Sequence, residues 1–383
     1  MVYQSINGLN DAGRPFTVAF PPQNSGHIER NTPRTKPGGD VSRFLKRSGF
    51  VIFFVLFLAC RKDFNSIVEP PPPCKVLAAS RIMKPKSAVR LCIDDRDIPV
   101  ADRSFTWSVN LGLIEGTRDT VTYYAPDTTG LVQIQVSVDL GETREVFATD
   151  LLIASQVVIL KADDWTCGPS GALSGSWMEF VGFVGEKKIK ANLGIIGRSL
   201  EKGDRSYLRL IRELDKSGNF EFWNHGYDHV LNRVDADGKK YSEFFNASLA
   251  DQTSHILITQ MLAKDKTGVV LHAFGAPGNA FDDNTASALR KAGEINVWFF
   301  GPAQSDKMVL TRRSEIEFPA HNPDFEKFMQ TYDSTQTYQV YQIHPDTWDR
   351  GRFDAFRKII DYLISRKTAF LTTQEYFRLI QTQ

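Results

Sequence analysis

The chain has 383 residues, 42% apolar and 24% charged, so it can bury a sizeable core and wholesale disorder is excluded. Its 46 Lys and Arg against 45 Asp and Glu leave a net charge of +1, without the strongly basic footprint of a nucleic-acid binder. Four cysteines are too few for a small disulfide-built scaffold, and seven histidines are sparse enough that any close pair stands out.

Residues 1–40 hold Gly, Pro, Asn and Ser with little periodicity. They predict a disordered leader, or a stretch upstream of a true translation start near Val41. Arg43, Lys46 and Arg47 then precede an apolar run of 11 residues, Gly49 to Ala59, followed by Cys60 and the charged pair Arg61-Lys62. A basic segment, an apolar segment and small residues before a cut site describe a secretory signal. The run is too short for a spanning helix, which needs about 20 residues. Leu-Phe-Leu-Ala-Cys, ending at Cys60, resembles a bacterial lipobox. That resemblance implies a chain cut and lipidated at Cys60, tethered to a membrane in the bacterial cell envelope (outer membrane or cell surface). A plain signal peptide and an uncleaved anchor are the alternatives. Residues 61–73 end in Glu69 and the prolines Pro70 to Pro73, a stiff extended tether.

Over residues 74–154 the pattern becomes short and alternating, as in Ser104-Phe-Thr-Trp-Ser-Val, Thr120-Val-Thr-Tyr-Tyr and Leu131-Val-Gln-Ile-Gln-Val-Ser-Val. Turn signals at Gly112, Glu115-Gly116, Pro126-Asp127, Gly130 and Gly141-Glu142 separate the runs. Such spacing predicts a β-sandwich. Phe105-Thr-Trp, Gly112, Val121-Thr-Tyr-Tyr-Ala-Pro and Gly130 resemble bacterial Ig-like domains, which implies Trp107 in the core. Cys74 and Cys92 are candidates to pair in an exported protein. No chemistry is visible in this stretch, which reads as a spacer or docking module.

From residue 155 to 383 strand and helix signals alternate. Strands are predicted at Val157-Val-Ile-Leu, Lys190 to Ile196, Phe220-Glu-Phe-Trp, Val269–Phe274, Tyr338–Ile343 and Thr368–Thr372. Helices are predicted at about 174–187, Tyr207–Lys216, about 243–264, Thr285–Lys291 and Phe353–Ser365. The alternation predicts an α/β fold, a parallel sheet or barrel with ligands at the C-terminal ends of its strands.

Three of those ends carry the polar residues. They are Lys161-Ala162-Asp163-Asp164-Trp165, Trp223-Asn224-His225-Gly226-Tyr227-Asp228-His229, and Tyr341-Gln342-Ile343-His344-Pro345. Two imidazoles four residues apart, on one helical turn, can face one ion. An Asp-Asp pair supplies a third ligand and one more carboxylate to act as base. A third histidine can protonate a leaving group, while a cation polarises a carbonyl and acidifies water. The plainer readings are a turn or helix cap for Asp-Asp and surface positions for the histidines.

Asp163-Asp164, His225-Gly-Tyr-Asp-His229 and Ile343-His344-Pro345, over about residues 156–380, resemble the motifs of the polysaccharide deacetylase superfamily (NodB-homology, carbohydrate esterase 4-like). The resemblance implies a distorted (β/α)7 barrel and one divalent metal, usually zinc. It implies hydrolysis of N- or O-linked acetyl groups on a glycan, and the balanced charge predicts no nucleic-acid partner. Position by position, Asp163 becomes the catalytic base and His344 the general acid, with Asp164, His225 and His229 as metal ligands. Asn224 fits the usual Asn-His. The sequence departs from the pattern in two places. The first motif usually reads Thr-Phe-Asp-Asp. The third usually holds Arg-x-Pro, its arginine pairing with the base, but Phe274-Gly275-Ala276-Pro277-Gly278 has no arginine. Lys161 is a candidate substitute cation, and Trp298 a candidate for the fourth motif's tryptophan. The missing arginine favours a rival reading, a catalytically weak or inactive protein of this fold that binds glycans at the cell surface. Trp165 and Trp348 are candidates to stack on sugar rings, Asp228 and Asp346 to orient imidazoles, and Cys167 to act as a soft ligand. His321 reads as a loop residue, His255 as a helix residue and His272 as a strand residue.

Overall fold

A computed structural model describes residues 4–9, 15–20, 75–78, 80–94, 103–141 and 143–381. The signal-like run, Cys60, the proline tether and Cys74 lie outside the described residues. Within the stretch assigned to a leader, Gln4–Leu9 and Pro15–Phe20 pair antiparallel. Cys92 is a free thiol. No helix among the described residues is long and apolar enough to cross a membrane.

The first described layers are two four-stranded sheets. One runs in the order Lys75–Ala78, Ala88–Asp94, Thr120–Tyr124, Leu113–Glu115, and the other Ile82–Met83, Arg144–Ile153, Gly130–Asp139, Ser104–Val109. Strict alternation buries Val132, Ile134, Val136 and Val138 on one face. These meet Leu91, Ile93, Val121 and Tyr123 of the facing sheet in one apolar core. Trp107 is half-buried at the edge of that core, and its indole N–H donates to the Arg118 carbonyl at 2.9 Å.

Arg144–Ile153 leads within four residues into the second unit, an all-parallel sheet wrapped by helices. Its strands run Met308–Leu310, Val297–Phe299, Ala273–Phe274, Phe220–Asn224, Ala191–Ile195, Val157–Trp165, Tyr338–Ile343, with Ala369–Phe370 also paired to the start of Val157–Trp165. Seven strands thus lie on one hydrogen-bonded path. Its two edge regions are linked by side chains instead of a ladder, as where the Thr311 and Tyr338 hydroxyls lie 3.0 Å apart and Ser314 donates to Gln339. The structure is a curled, open parallel sheet, in line with the expected mixed α/β class.

The strands are buried on both faces, which explains their near-continuous apolar runs. Alternate residues still go to different cores. Val158, Leu160 and Ala162 pack under the helices, whereas Val157 and Ile159 face the sheet's inner side with Trp223, Val297 and Phe299. A period of two therefore puts Lys161 and Asp163 on that inner side, at the strand's C-terminal end. Helices form at Gly175–Lys187, Arg205–Ser217, Leu249–Thr267 and Arg350–Ser365, capped by Ser174, Asp204, Ser248 and Asp349. The helix expected from residue 243 begins only at Leu249, because Ser242 and Phe245 form a β-bridge and Asn246 turns left-handed.

Candidate active site

Asp163 and Asp164 diverge because the strand breaks register between Ala162 and Trp165, and Asp164 has φ 66°. This bulge sends adjacent carboxylates to different partners. Asp163 stays inward and is 1% exposed. Its two oxygens lie 2.5 and 2.6 Å from Lys161 Nζ, and Gln342 donates to Oδ2 at 2.7 Å. Lys161 is itself fully buried. Its ammonium lies 4.6 Å from the Trp223 ring centroid and also faces Phe299 and Phe300. Burial pushes the Lys161 ammonium down, and the Asp163 charge opposes that shift.

The first-strand lysine thus stands beside the aspartate where no arginine is available. Gly275, on the loop after Ala273–Phe274, leaves the room. A β-carbon there would lie 2.8 Å from the Trp223 ring and 3.3 Å from Lys161 Cε.

Asp164 turns to the two histidines. Its Oδ1 is 3.2 Å from His225 Nε2 and 2.8 Å from His229 Nε2, and the ligand atoms of the three residues all lie within 4.8 Å of one another. That Oδ1 is buried without a hydrogen bond. His225 places Nδ1 2.8 Å from the Gly275 carbonyl. The Nδ1–H tautomer donates there and leaves Nε2 as a lone-pair donor. Ligands about 2.0–2.2 Å from one cation lie about 3 Å apart, so two imidazoles and an orphaned carboxylate oxygen fit a divalent ion. Burial pushes the Asp164 carboxyl up, but His225 and His229 outweigh it and hold it well below the usual range. Burial lowers His229, and Asp164 more than offsets it, so its imidazole is raised.

The expected helical turn under the two histidines is not there. Residues 225–232 form a loop, with Gly226 at φ 76° and His229 at φ 58°. Two left-handed positions fold the loop back, so the rings meet at 5.1 Å without a helix.

His344 follows Tyr338–Ile343, with Nε2 4.0 Å from Asp163 Oδ2. Its orienting carboxylate is Glu317, which the sequence reading missed. Oε2 lies 2.6 Å from His344 Nδ1 and accepts from the His321 amide at 2.7 Å. Oε1 accepts from the His344 amide and the Trp348 indole at 2.9 and 3.1 Å. Glu317 lies 27 residues from His344 in Ser314-Glu-Ile-Glu-Phe-Pro, a stretch with no local signal. Burial lowers His344, while Glu317 and Asp163 raise it further, so the net shift is upward and the cationic form is favoured. The His321 ring, expected in an uninvolved loop, sits 4.2 Å from that of His344.

Glu317→Gln is expected to lower kcat by about 10–100-fold, the usual cost of losing an orienting partner. The sign of the pH effect follows from the raised His344. Without Glu317 the imidazole loses its proton at lower pH, so the alkaline limb of the rate profile moves down. An unmoved limb in a folded variant would count against His344 as the acid.

The two expectations of sugar stacking are corrected by burial. Trp165 and Trp348 are 0% and 6% exposed and belong to the core, out of reach of a sugar ring. Trp298 is fully buried against Phe274 and Phe281. Cys167 lies 3.6 Å from the Ser199 carbonyl and is outside the ligand trio. Asp228 and Asp346 lie 3.9 and 4.0 Å from His255 and His321, and orient neither the metal-facing rings nor His344. Asn224 holds the histidine loop instead, its side-chain Oδ1 accepting from the Gly226 amide at 3.0 Å.

No family model matches the chain, and no curated protein matches it. Among solved structures it is similar to a CE4 family pseudoenzyme from Bacillus anthracis, at 13% identity and TM-score 0.42, over 57% of this chain and 64% of that one. The chain therefore spans less than two thirds of the pseudoenzyme's length. It is similar to a family 4 acetyl xylan esterase from Clostridium thermocellum in complex with a cobalt ion, at 18% identity and TM-score 0.41, over 58% and 91%. It is also similar to a peptidoglycan deacetylase from Bacillus subtilis, at 16% identity and TM-score 0.40, over 59% and 92%. Scores this low leave the fold to rest on the chain's own topology and the site on its own geometry.

Proposed function

We propose that this chain is a metal-dependent hydrolase that removes N- or O-linked acetyl groups from a carbohydrate. The observation that carries the reading is the convergence of Asp164, His225 and His229 on one point. A separately held carboxylate, Asp163, and an acid, His344, flank that point. Asp164, His225 and His229 would hold a divalent ion, zinc by the sequence resemblance. When bound, the ion supplies Lewis-acid polarisation of an acyl oxygen and acidifies a water.

The chain's own groups do the rest. Asp163, kept beside the Lys161 cation, accepts the proton of the attacking water at a carboxylate oxygen. His344, kept cationic by Glu317, gives its Nε2 proton to the departing amine or alcohol. Lys161 and Gln342 fix the direction of the base. The ion pair at Asp163 favours this reading over a glycan-binding protein with a disabled site, because the feature that supported the rival was a base without a cation. Export, the lipid anchor at Cys60 and an Ig-like spacer over residues 74–154 belong to the same reading, carried by the sequence motifs.

The test is metal analysis of the full chain, purified from cells that export it, with acetate release measured on a panel of N- and O-acetylated glycans. One equivalent of metal with acetate release is the expected result. Bound metal without release on any acetylated glycan would favour the binding protein. The mature N-terminus read from the same sample is expected at Cys60, and a start well before it would refute the lipid anchor.

A further inference from the structure

The His229 side of the trio is the one that no regular structure supports. His225 sits at a strand end and Asp164 on a strand, but His229 lies inside a loop, left-handed itself between left-handed Gly226 and Asn232. Asn224 holds the start of that loop, and a second buried side chain holds its His229 end. Glu243 Oε1 accepts from the Tyr227 amide at 2.5 Å, and Oε2 accepts from the His229 amide at 2.8 Å. The Glu243 side chain is 0% exposed. Behind it, His255 Nδ1 lies 2.9 Å from Oε1, from the first half of Leu249–Thr267.

Gly226 makes the approach possible. A β-carbon at that position would lie 2.6 to 2.8 Å from the Glu243 carboxylate, and its φ of 76° favours glycine in any case. A carboxylate that is buried, shared between two backbone N–H groups and faced by an imidazole is a satisfied anion, and such a contact is stronger than a neutral one.

Asp228, Glu243 and His255 also bring their ligand atoms within 4.8 Å of one another, which on its own suggests a second cation site. Glu243 argues against it, because both of its oxygens already accept backbone amides and one faces His255. We infer that Glu243 is a positioning residue whose carboxylate straps the loop of residues 227–229 and thereby sets the affinity of the metal site through His229. The inference rests on the metal site proposed above, and is separable from it by experiment.

The metal-free full chain is titrated with Zn2+ and Co2+ against a chelator of known affinity, with unfolding of the metal-free protein followed in parallel. Wild type is expected to take up one equivalent. Glu243→Gln keeps one acceptor oxygen and is expected to raise Kd by about 10–100-fold, with Glu243→Ala weaker still. The Co2+ spectrum of Glu243→Ala is expected to approach that of His229→Ala, a change that a general loss of stability does not produce. If Glu243→Ala does not fold, Glu243→Gln carries the comparison. Wild-type affinity and spectrum in either folded variant would overturn the strap while leaving the metal site intact. A second equivalent that disappears in His255→Ala would overturn it in favour of a second cation site. No uptake by wild type would remove the metal reading and the strap with it.

Discussion

Asp163→Asn is expected to reduce acetate release by about 10²–10⁴-fold, the range that a positioned general base contributes, and to leave bound metal near one equivalent. The two halves of that result come from different atoms. Asp163 Oδ2 is 3.7 Å from His225 Nε2, farther than either contact that Asp164 Oδ1 makes with the two imidazoles, so the ligand trio does not need it. An amide at residue 163 cannot take a proton from water. It also turns an NH2 toward either the Lys161 ammonium or the Gln342 amide, both of them donors. His225→Ala is the complementary variant, expected to lose metal and activity together. Acetate release and metal content measured on the same preparations separate the two. Full activity in either variant would remove the assigned roles.

Lys161→Met is the second large effect, and it has three parts. Truncating one member of a buried ion pair leaves an uncompensated carboxylate, at a typical cost of 3–5 kcal/mol in stability. The pair qualifies, with the two side chains 0% and 2% exposed. The carboxylate also loses the donor that contacts both of its oxygens, leaving only Gln342 to hold it. With the direction of the base also lost, kcat/KM is expected to fall by at least about 100-fold at neutral pH. Lys161→Arg is not a rescue. The guanidinium is larger and planar, whereas the lysine ammonium lies 4.6 Å from the Trp223 ring centroid and a β-carbon at Gly275 would lie 3.3 Å from the lysine Cε. Thermal unfolding and kcat/KM at neutral pH check the prediction. A variant with wild-type kcat/KM and stability would return the missing arginine to its force as evidence for an inactive protein.

Much of the second unit was legible in the sequence. Val157–Trp165, Phe220–Asn224 and Tyr338–Ile343 are rich in apolar residues, with few polar ones, because parallel strands covered on both faces bury nearly every side chain. The helices Gly175–Lys187 and Arg205–Ser217 were legible from apolar spacing, and Ser174 and Asp204 supply their caps. Val297–Phe299 and Met308–Leu310 were not, since three-residue strands are too short to show a period. The site divided in the same way. Asp163, Asp164, His225, His229 and His344 sit within a few residues of strand ends, where chain order announces them. Glu317 and Glu243 act from connecting segments 27 and 14 residues from the histidines they hold, and no spacing rule connects them.

The amino-acid order by itself determined which strands carry polar ends, and so which side chains can meet at the mouth of a parallel sheet. It also determined that Lys161 and Asp163 share a face, because a strand alternates with a period of two. Only the tertiary structure decided that this face is the inner one, that Gly275 leaves the lysine its room, and that Glu317 and Glu243 supply the orienting carboxylates. These are contacts between segments distant in the chain. Their energies depend on burial and on which donors remain unsatisfied after folding, and neither quantity exists until the core has closed.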